Sequence, residues 1–333
     1  MTNDVRQLQM RVPAKLSVRT CDATTTRTIF HDDWWLKIAA KGQNRQVEVL
    51  RDNLVVGSMS YVTTRRHGMT YVQTPPYTRL LGPLLSLPPS KTSTRLRNAR
   101  SVVKEIIEQI PPFDYYYNCC ADDSNVALAF ALQEFKVQQT FSFMVPADEN
   151  LTVSWQNLDQ KTRNLVRTAA ARLTFRTSVN FEDFVGVSQQ EHESTNINDF
   201  PLMRALFTEC VTRQQAIILT VATEDGESIV AAAVLVWGYG TAYFWLSARH
   251  RTGATIGANA LLVWEGMKFA NENGLNFDLD GYRSIGSARF LCGFGLVPIT
   301  RLEITKTSWR YDAAAVAKAG IRRIAGYTPG RIG

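Results

Sequence analysis

The sequence has few of the residues that build disulfide scaffolds and metal sites. Its 333 residues include five cysteines and four histidines. No two cysteines form a CxxC pair, and no Cys/His cluster has zinc-ligand spacing. An odd cysteine count, with Cys119 next to Cys120, is typical of free thiols in a reducing compartment. The composition therefore predicts a cytoplasmic protein without a metal site.

Long apolar runs are also scarce. The N-terminal residues lack the apolar stretch of a signal peptide. An uncharged stretch at 229–246 approaches the length of a membrane span, but Gly238-Tyr239-Gly240-Thr241 interrupts it with a turn signal. We therefore predict two buried strands joined by a tight turn, and no membrane span.

The chain is moderately basic, and most of its basic residues are arginines. The net charge is +7, with 27 Arg against 10 Lys, and arginine suits bidentate contacts to phosphate and carboxylate. Two basic runs, at 91–104 and 161–176, are either solvated helix faces or surfaces for nucleic acid or an acidic substrate. The nucleophile motif GxSxG is absent, which disfavours covalent catalysis.

Two halves of the chain show the same order of predicted elements: three strands, a loop, a helix, a strand, a helix and a strand. In the first half the strands lie at 46–50, 54–63, 69–73, 113–119 and 139–145, with helices at 93–110 and 123–135. In the second half the strands lie at 216–223, 228–237, 241–247, 275–280 and 297–307, with helices at 259–272 and 285–291. Helices at 156–174 and 200–213 join the halves, and 182–184 and 189–199 are loop-like.

This repetition predicts an α/β protein made of two copies of one unit. Each copy is a mixed, mostly antiparallel, twisted sheet flanked by helices. We predict an N-terminal extension at 1–30, a first unit at 31–150, a second unit with the linking helix at 151–310, and a C-terminal helix and tail at 311–333.

The loop at 248–258 is a candidate anion site because it lies between a strand and a helix. The start of a helix offers unpaired backbone N–H groups and a partial positive charge, and glycine lets a ligand approach the backbone closely. A polar surface loop is the alternative. The candidate binding residues are Arg249, Arg251, Gly253, Thr255, Gly257, Ala258 and Asn259.

Two further candidates lie on neighbouring predicted strands. Asp278 and Asp280 share one face at the end of a strand, where α/β sheets bind ligands. Asp280 there is placed to hold or deprotonate an amine, although a turn or capping carboxylate is the alternative. Tyr243 and Trp245 share a face of the strand before the Arg loop, either lining a pocket or packing in the core.

Several segments, in order along residues 30–310, match the motifs of a known protein family. They are Thr74-Pro75-Pro76-Tyr77 with Leu81-Gly82-Pro83; Phe141-Ser142-Phe143 with Trp155 and the 163–167 segment; residues 260–270; and Phe277-Asp278-Leu279-Asp280-Gly281 followed by Ala288-Arg289-Phe290 and Gly293-Phe294-Gly295. In these features the chain resembles tandem GNAT-fold acyltransferases of the Fem-like superfamily, which includes Fem-type peptidyltransferases and Fem-like acetyltransferases.

The resemblance implies direct acyl transfer to an amine or hydroxyl, with no metal, no bound cofactor and no covalent intermediate. The donor is an acyl thioester such as acyl-CoA or, alternatively, an aminoacyl-tRNA. The acceptor is a small molecule, a sugar or a cell-wall precursor, and the setting is cell-wall or natural-product biosynthesis. The first unit would serve the acceptor and the second unit the donor. A degenerate GNAT protein that only binds a partner or ligand is a third hypothesis.

The expected roles follow residue by residue. Asp280 and Tyr243 are the candidate catalytic residues. Lys37 corresponds in position to an acceptor-binding Lys of the tRNA-dependent branch. That branch usually has a donor-binding Lys where this chain has Leu291. The candidate substrate-binding residues are Trp34, Lys37, Tyr77, Trp245, Asp278, Arg283, Arg289 and Phe290.

Overall fold

The computed structural model describes residues 27–191, 198–250, 256–281 and 284–324. The strands are β1 (Asn44–Arg51), β2 (Leu54–Arg66), β3 (Met69–Gln73), β4 (Leu84–Leu85), β5 (Tyr115–Ala121), β6 (Lys136–Val145), β7 (Thr174–Ser178), β8 (Ala216–Ala222), β9 (Ile229–Gly238), β10 (Thr241–Arg249), β11 (Asn276–Asp278) and β12 (Pro298–Thr307). The helices are α1 (Asp33–Ala39), α2 (Thr92–Gln109), α3 (Ser124–Ala131), α4 (Leu151–Asn157), α5 (Gln160–Arg172), α6 (Glu182–Glu191), α7 (Phe200–Thr212), α8 (Ala258–Glu272), α9 (Ile285–Cys292) and α10 (Trp309–Ile324). A 3₁₀ turn, Ile29–His31, precedes α1.

The described residues divide into two compact units. The central unit comprises Val145–Phe200 and Phe207–Asp278. The flanking unit comprises Cys21–Met144, Pro201–Leu206 and Leu279–Gly333, as far as these are described.

The flanking unit contains a sheet with the strand order β1-β2-β3-β5-β12-β6, and β4 pairs with β2. Neighbouring strands are antiparallel except β3 and β5, which are parallel. Apolar residues of α2 recur with helical spacing, and Ala99, Val102, Val103 and Ile106 are all buried. They join a core with Phe130 of α3 and inward-facing residues of the strands, so α2 and α3 cover one face of the sheet.

The division into units differs from the predicted boundaries at β12. Sequence order places this strand in the second unit, whereas it pairs with β5 and β6 of the flanking unit. The physical reason is burial. Leu302 and Ile304 of β12 are 2% and 0% exposed within the flanking unit's core, so residues from 279 onward belong to that unit rather than to 151–278.

The central unit contains a sheet with the strand order β11-β10-β9-β8-β7. Every residue of β8 is buried. This requires cover on both faces, which α6 and α8 provide. The uncharged stretch at 229–246 forms the antiparallel pair β9 and β10, so the prediction of two strands is confirmed. In the part of the chain that is described, no helix combines the length and apolarity needed to cross a membrane.

Two predicted features between the halves are wrong. The linking helix predicted at 156–174 is interrupted between α4 and α5, where Leu158 and Asp159 have non-helical backbone. Asp159 is the N-cap of α5, and its side chain accepts a hydrogen bond from Thr162 N. Residues 182–191, taken in part as a loop, form α6. The segment is polar overall, but its apolar residues Phe184, Val185 and Val187 are buried. Tertiary packing of these residues stabilises the helix.

A buried histidine should make the stability of the flanking unit depend on pH. Thr28 N and Oγ1 lie 3.1 and 2.9 Å from His31 Nδ1, and Nε2 lies 3.2 Å from Gly82 O. Nδ1 therefore accepts and Nε2–H donates. Burial lowers the pKa of His31 to about 4 from an ordinary 6.5, because it penalises the charged ring.

The unfolded chain therefore binds a proton at a pH at which the folded chain does not. Stability contributed by neutral His31 is complete above about pH 6.5 and is lost as the pH falls through 4, by no more than about 3 kcal/mol. Urea unfolding at pH 7 and pH 4 measures this loss. We expect His31→Gln to reduce the difference between the two pH values. The exposed His67 is the control, and an equal reduction in His67→Asn would contradict the assignment.

Candidate functional site

The central sheet opens where β10 and β11 part. β11 pairs in parallel with β10 only from Thr241 to Tyr243. The pairing of β10 with β9 shifts register between Phe244 and Leu246, which marks a β-bulge. β9 pairs along one edge of β10. From Phe244 to Arg249, the opposite edge has no strand partner among the described residues of the central unit. The two strands of the parallel pair therefore separate beyond Tyr243.

The chain passes from β10 to the start of α8, which is suited to an anion. Gly257 is the N-cap, with a φ of +88°. The first-turn N–H groups, from Ala258 onward, have no partner within the helix, and the first turn contains no acidic residue. These N–H groups and the helix dipole favour negative charge at this point.

A groove in the central unit lies beside this helix start. It has a volume of about 500 Å³ and is lined by Gln160, Lys161, Asn164, Leu165, Thr168 and Ile256. α5 lies close to α8, since a Cβ on Gly257 would lie 2.5 Å from Leu165 O. The rings of Trp155 and Trp264 also pack at 4.9 Å. The groove thus combines a helix N-terminus with the cation of Lys161.

The predicted aromatic and carboxylate residues of the central unit lie at the point where the strands part. Tyr243 is the register partner of Asp278, and Trp245 lies in the bulge. Tyr243, Trp245 and Asp278 are 3%, 1% and 1% exposed. They shape the strand opening from inside the unit, whereas Arg249, at the end of β10, is exposed.

Asp280 lies in the flanking unit and is held between two arginines. Its Oδ2 is 2.6 Å from Arg79 Nε, and its Oδ1 is 3.0 Å from Arg301 Nη1. The side chains of Asp280 and Arg301 are each 7% exposed. The next residue is also tied down, because Gly281 N donates to Ser142 Oγ at 2.9 Å. A role for Asp280 in proton transfer requires one of its ion pairs to open.

Sequence reasoning missed both arginine partners. Arg79 follows the Tyr77 motif in a proline-rich loop, and Arg301 begins the buried part of β12 at 6% exposure. An arginine inside an otherwise apolar strand is the signal that was available for Arg301. No local pattern points from either residue to Asp280.

Helix α1 and the proline-rich loop, which contain the predicted acceptor residues Trp34, Lys37 and Tyr77, are in contact. Trp35 Nε1 donates to Thr78 Oγ1 at 3.1 Å, which joins α1 to the loop containing Tyr77. Trp34 packs edge-on against Trp35, with ring centroids 5.6 Å apart. Lys37 points to the surface of α1 and is exposed.

The predicted site residues of α9 differ in how far they are buried. Arg289 is exposed, and Phe290 is half-buried with its ring 5.4 Å from that of Phe294. Leu291 is buried, with 7% exposure. Four other predicted site residues lie outside the described residues: Arg251, Gly253, Thr255 and Arg283.

The central unit thus contains a bulged strand that parts from its parallel neighbour, followed by a helix whose N-terminus favours an anion. Residues 155–288 match the family model described as an acetyltransferase (GNAT) domain. The chain has a tandem GNAT, Fem-like fold, as the resemblance predicted.

Solved structures with this fold are distant in sequence. FemX matches with a TM-score of 0.61 and 12% identity, over 83% of this chain and 91% of that chain. L-PGS from Bacillus licheniformis has a TM-score of 0.53 and 12% identity, over 88% and 91%. A tandem GNAT protein from the clavulanic acid biosynthesis pathway has a TM-score of 0.50 and 12% identity, over 79% and 83%. No curated protein sequence matches the chain.

Proposed function

We propose that the protein is an acyltransferase that takes its acyl group from a CoA thioester bound to the central unit. The observation that supports this is the parting of β10 and β11 beside the start of α8. The phosphates of a CoA donor would lie at the N–H groups after Gly257, with Lys161 and Asn164 along the groove. The acceptor is an amine or hydroxyl of a small molecule, sugar or cell-wall precursor.

The proposed reaction needs little from side chains. The acceptor nitrogen or oxygen attacks the thioester carbonyl, the new C–N or C–O bond forms, and the C–S bond breaks. The acceptor loses its proton and the CoA sulfur leaves as a thiol. A backbone N–H group near the point where β10 and β11 part would stabilise the developing oxyanion, and holding both reactants in place supplies much of the rate.

Thermal unfolding with acetyl-CoA and longer acyl-CoA thioesters tests the donor site. A ligand present at 100 times its Kd adds about 2.7 kcal/mol to stability, so a binding thioester should raise Tm measurably. We expect Lys161→Ala to weaken binding about 3- to 10-fold, because it removes one charge-assisted phosphate contact.

The control for this experiment is Lys91→Ala, which changes an exposed lysine just before α2 in the flanking unit. Equal weakening by the two variants would show that only overall charge matters. If no thioester shifts Tm, the CoA donor is excluded, and binding without turnover against any acceptor would favour a non-catalytic GNAT protein.

An aminoacyl-tRNA donor is the second candidate. Similarity of fold to FemX and L-PGS favours it. Against it, the position of the donor-binding Lys in the tRNA-dependent Fem branch is occupied by the buried Leu291. Charged and uncharged tRNA should be compared at several salt concentrations. Binding that weakens steeply with salt, together with aminoacyl transfer, would replace the CoA proposal.

A further inference from the structure

The flanking sheet has a second face, opposite α2 and α3, that is lined with tyrosines. Side chains alternate along β5, so Tyr116 enters the core while Tyr115 and Tyr117 point to the other face. Tyr71 pairs with Tyr115 across β3 and β5 and shares this face. Tyr71, Tyr115 and Tyr117 are each partly exposed, so solvent reaches this face.

The first turn of α10 adds a fourth tyrosine. The ring of Tyr311 lies 5.0 Å from that of Tyr115 and 6.1 Å from that of Tyr71, and the rings of Tyr71 and Tyr115 are 5.7 Å apart. Ser308 anchors this end of the helix through Oγ to Asp114 Oδ1 at 2.8 Å. The tyrosine cluster is thus held by strand pairing and by a capped helix start.

A carboxylate lies beside these rings. Glu303 of β12 accepts a hydrogen bond from the Tyr117 hydroxyl at 3.2 Å. Burial raises the pKa of Tyr115, and the nearby Tyr311, Glu303 and Tyr71 raise it further. The hydroxyl of Tyr115 therefore lies within electrostatic reach of the carboxylate, and this raised pKa keeps Tyr115 neutral at physiological pH.

Glu303 makes no ion pair among the described residues. The neighbouring cations are engaged elsewhere: Arg301 with Asp280, Arg310 with Asp114, and Lys306 with Glu134 on the opposite face. Lys136, on the adjacent strand, makes no salt bridge with it. Glu303 is thus a half-buried carboxylate beside Tyr117 and Tyr115, and no described cation balances its charge through an ion pair.

We propose that this face binds an organic ammonium group, in which Glu303 supplies the charge and the tyrosines supply the rings. Cations are attracted to the faces of aromatic rings, and a carboxylate next to them adds a charge-assisted hydrogen bond. Binding of the cation does not depend on the proposed function.

The test is equilibrium binding, measured by calorimetry without any acyl donor. Choline and ethanolamine are the quaternary and primary ammonium probes, and 3,3-dimethylbutanol is the uncharged analogue of choline. We expect an ammonium probe to bind and the neutral analogue to bind at least about tenfold more weakly. Glu303→Gln should weaken ammonium binding at least about tenfold, since it keeps the shape and removes the charge.

Glu48→Gln is the matched control, because Glu48 is an exposed carboxylate on β1 of the same unit. Tyr117→Phe removes the hydroxyl but keeps the ring, and it should change binding less than Glu303→Gln does. Absence of ammonium binding to a folded wild-type protein overturns the proposal. So does equal binding of the neutral analogue, or unchanged binding in Glu303→Gln. Each outcome is independent of whether a CoA thioester binds.

Discussion

We expect Asp280→Asn to lower the free energy of unfolding by about 3–5 kcal/mol. The substitution keeps the shape of the side chain and removes its charge. It leaves the guanidinium groups of Arg79 and Arg301 without the carboxylate that lies 2.6 and 3.0 Å from them. Arg301 is 6% exposed, so water cannot replace the lost partner, and an uncompensated buried charge is strongly destabilising.

Urea unfolding followed by tryptophan fluorescence measures this loss. The control is Glu108→Gln in the exposed pair of Lys104 and Glu108, for which we expect a change of at most about 0.5 kcal/mol. Adding Arg301→Met to Asp280→Asn should recover part of the stability, because it removes one orphaned charge. A cost for Asp280→Asn as small as that of the control would mean that the ion pairs contribute little.

The same variant separates the two roles of Asp280. The sequence predicts a proton acceptor, whereas the structure places the carboxylate in two ion pairs. If it only positions Arg79 and Arg301, acyl transfer per folded molecule should fall mainly through KM. If it accepts the proton of the acceptor, kcat should fall and its pH dependence should change.

We expect Gly257→Ala to destabilise the central unit by about 2–5 kcal/mol and to abolish binding of the proposed acyl donor. A left-handed backbone costs an L-residue about 1–2 kcal/mol, and Gly257 has a φ of +88°. The added Cβ would also lie 2.5 Å from Leu165 O and 3.2 Å from Ala169 Cβ. Overpacking of this kind costs about 1–3 kcal/mol, and relief of the contact must move α8 away from α5.

Gly274→Ala is the matched control, since it lies just beyond the other end of α8 with a φ of +65° and nothing within 4 Å of the added Cβ. It should cost only the backbone term of about 1–2 kcal/mol and leave donor binding unchanged. Thermal unfolding and thioester binding of both variants provide the comparison. Equal effects of the two substitutions would show that contact between α5 and α8 at Gly257 is not critical.

Elements with strong local signals were predicted well. β3 (Met69–Gln73) matches its predicted bounds, and α2 and α8 begin one residue before theirs. Their apolar spacing, turn residues and proline or glycine boundaries are local properties. α6 was missed because its helical stability comes from Phe184 and other buried residues packing on the sheet rather than from its polar sequence.

The α/β class, the repeated order of elements and a helix beginning near residue 259 follow from the sequence alone, because glycine placement and hydrophobic period are encoded residue by residue. Tertiary structure alone decided three things. It placed β12 beside β5 and β6, paired Asp280 with Arg79 and Arg301, and set Glu303 among the tyrosines. Each joins residues distant along the chain, and such contacts are set by burial and charge balance in the folded protein, which no local pattern records.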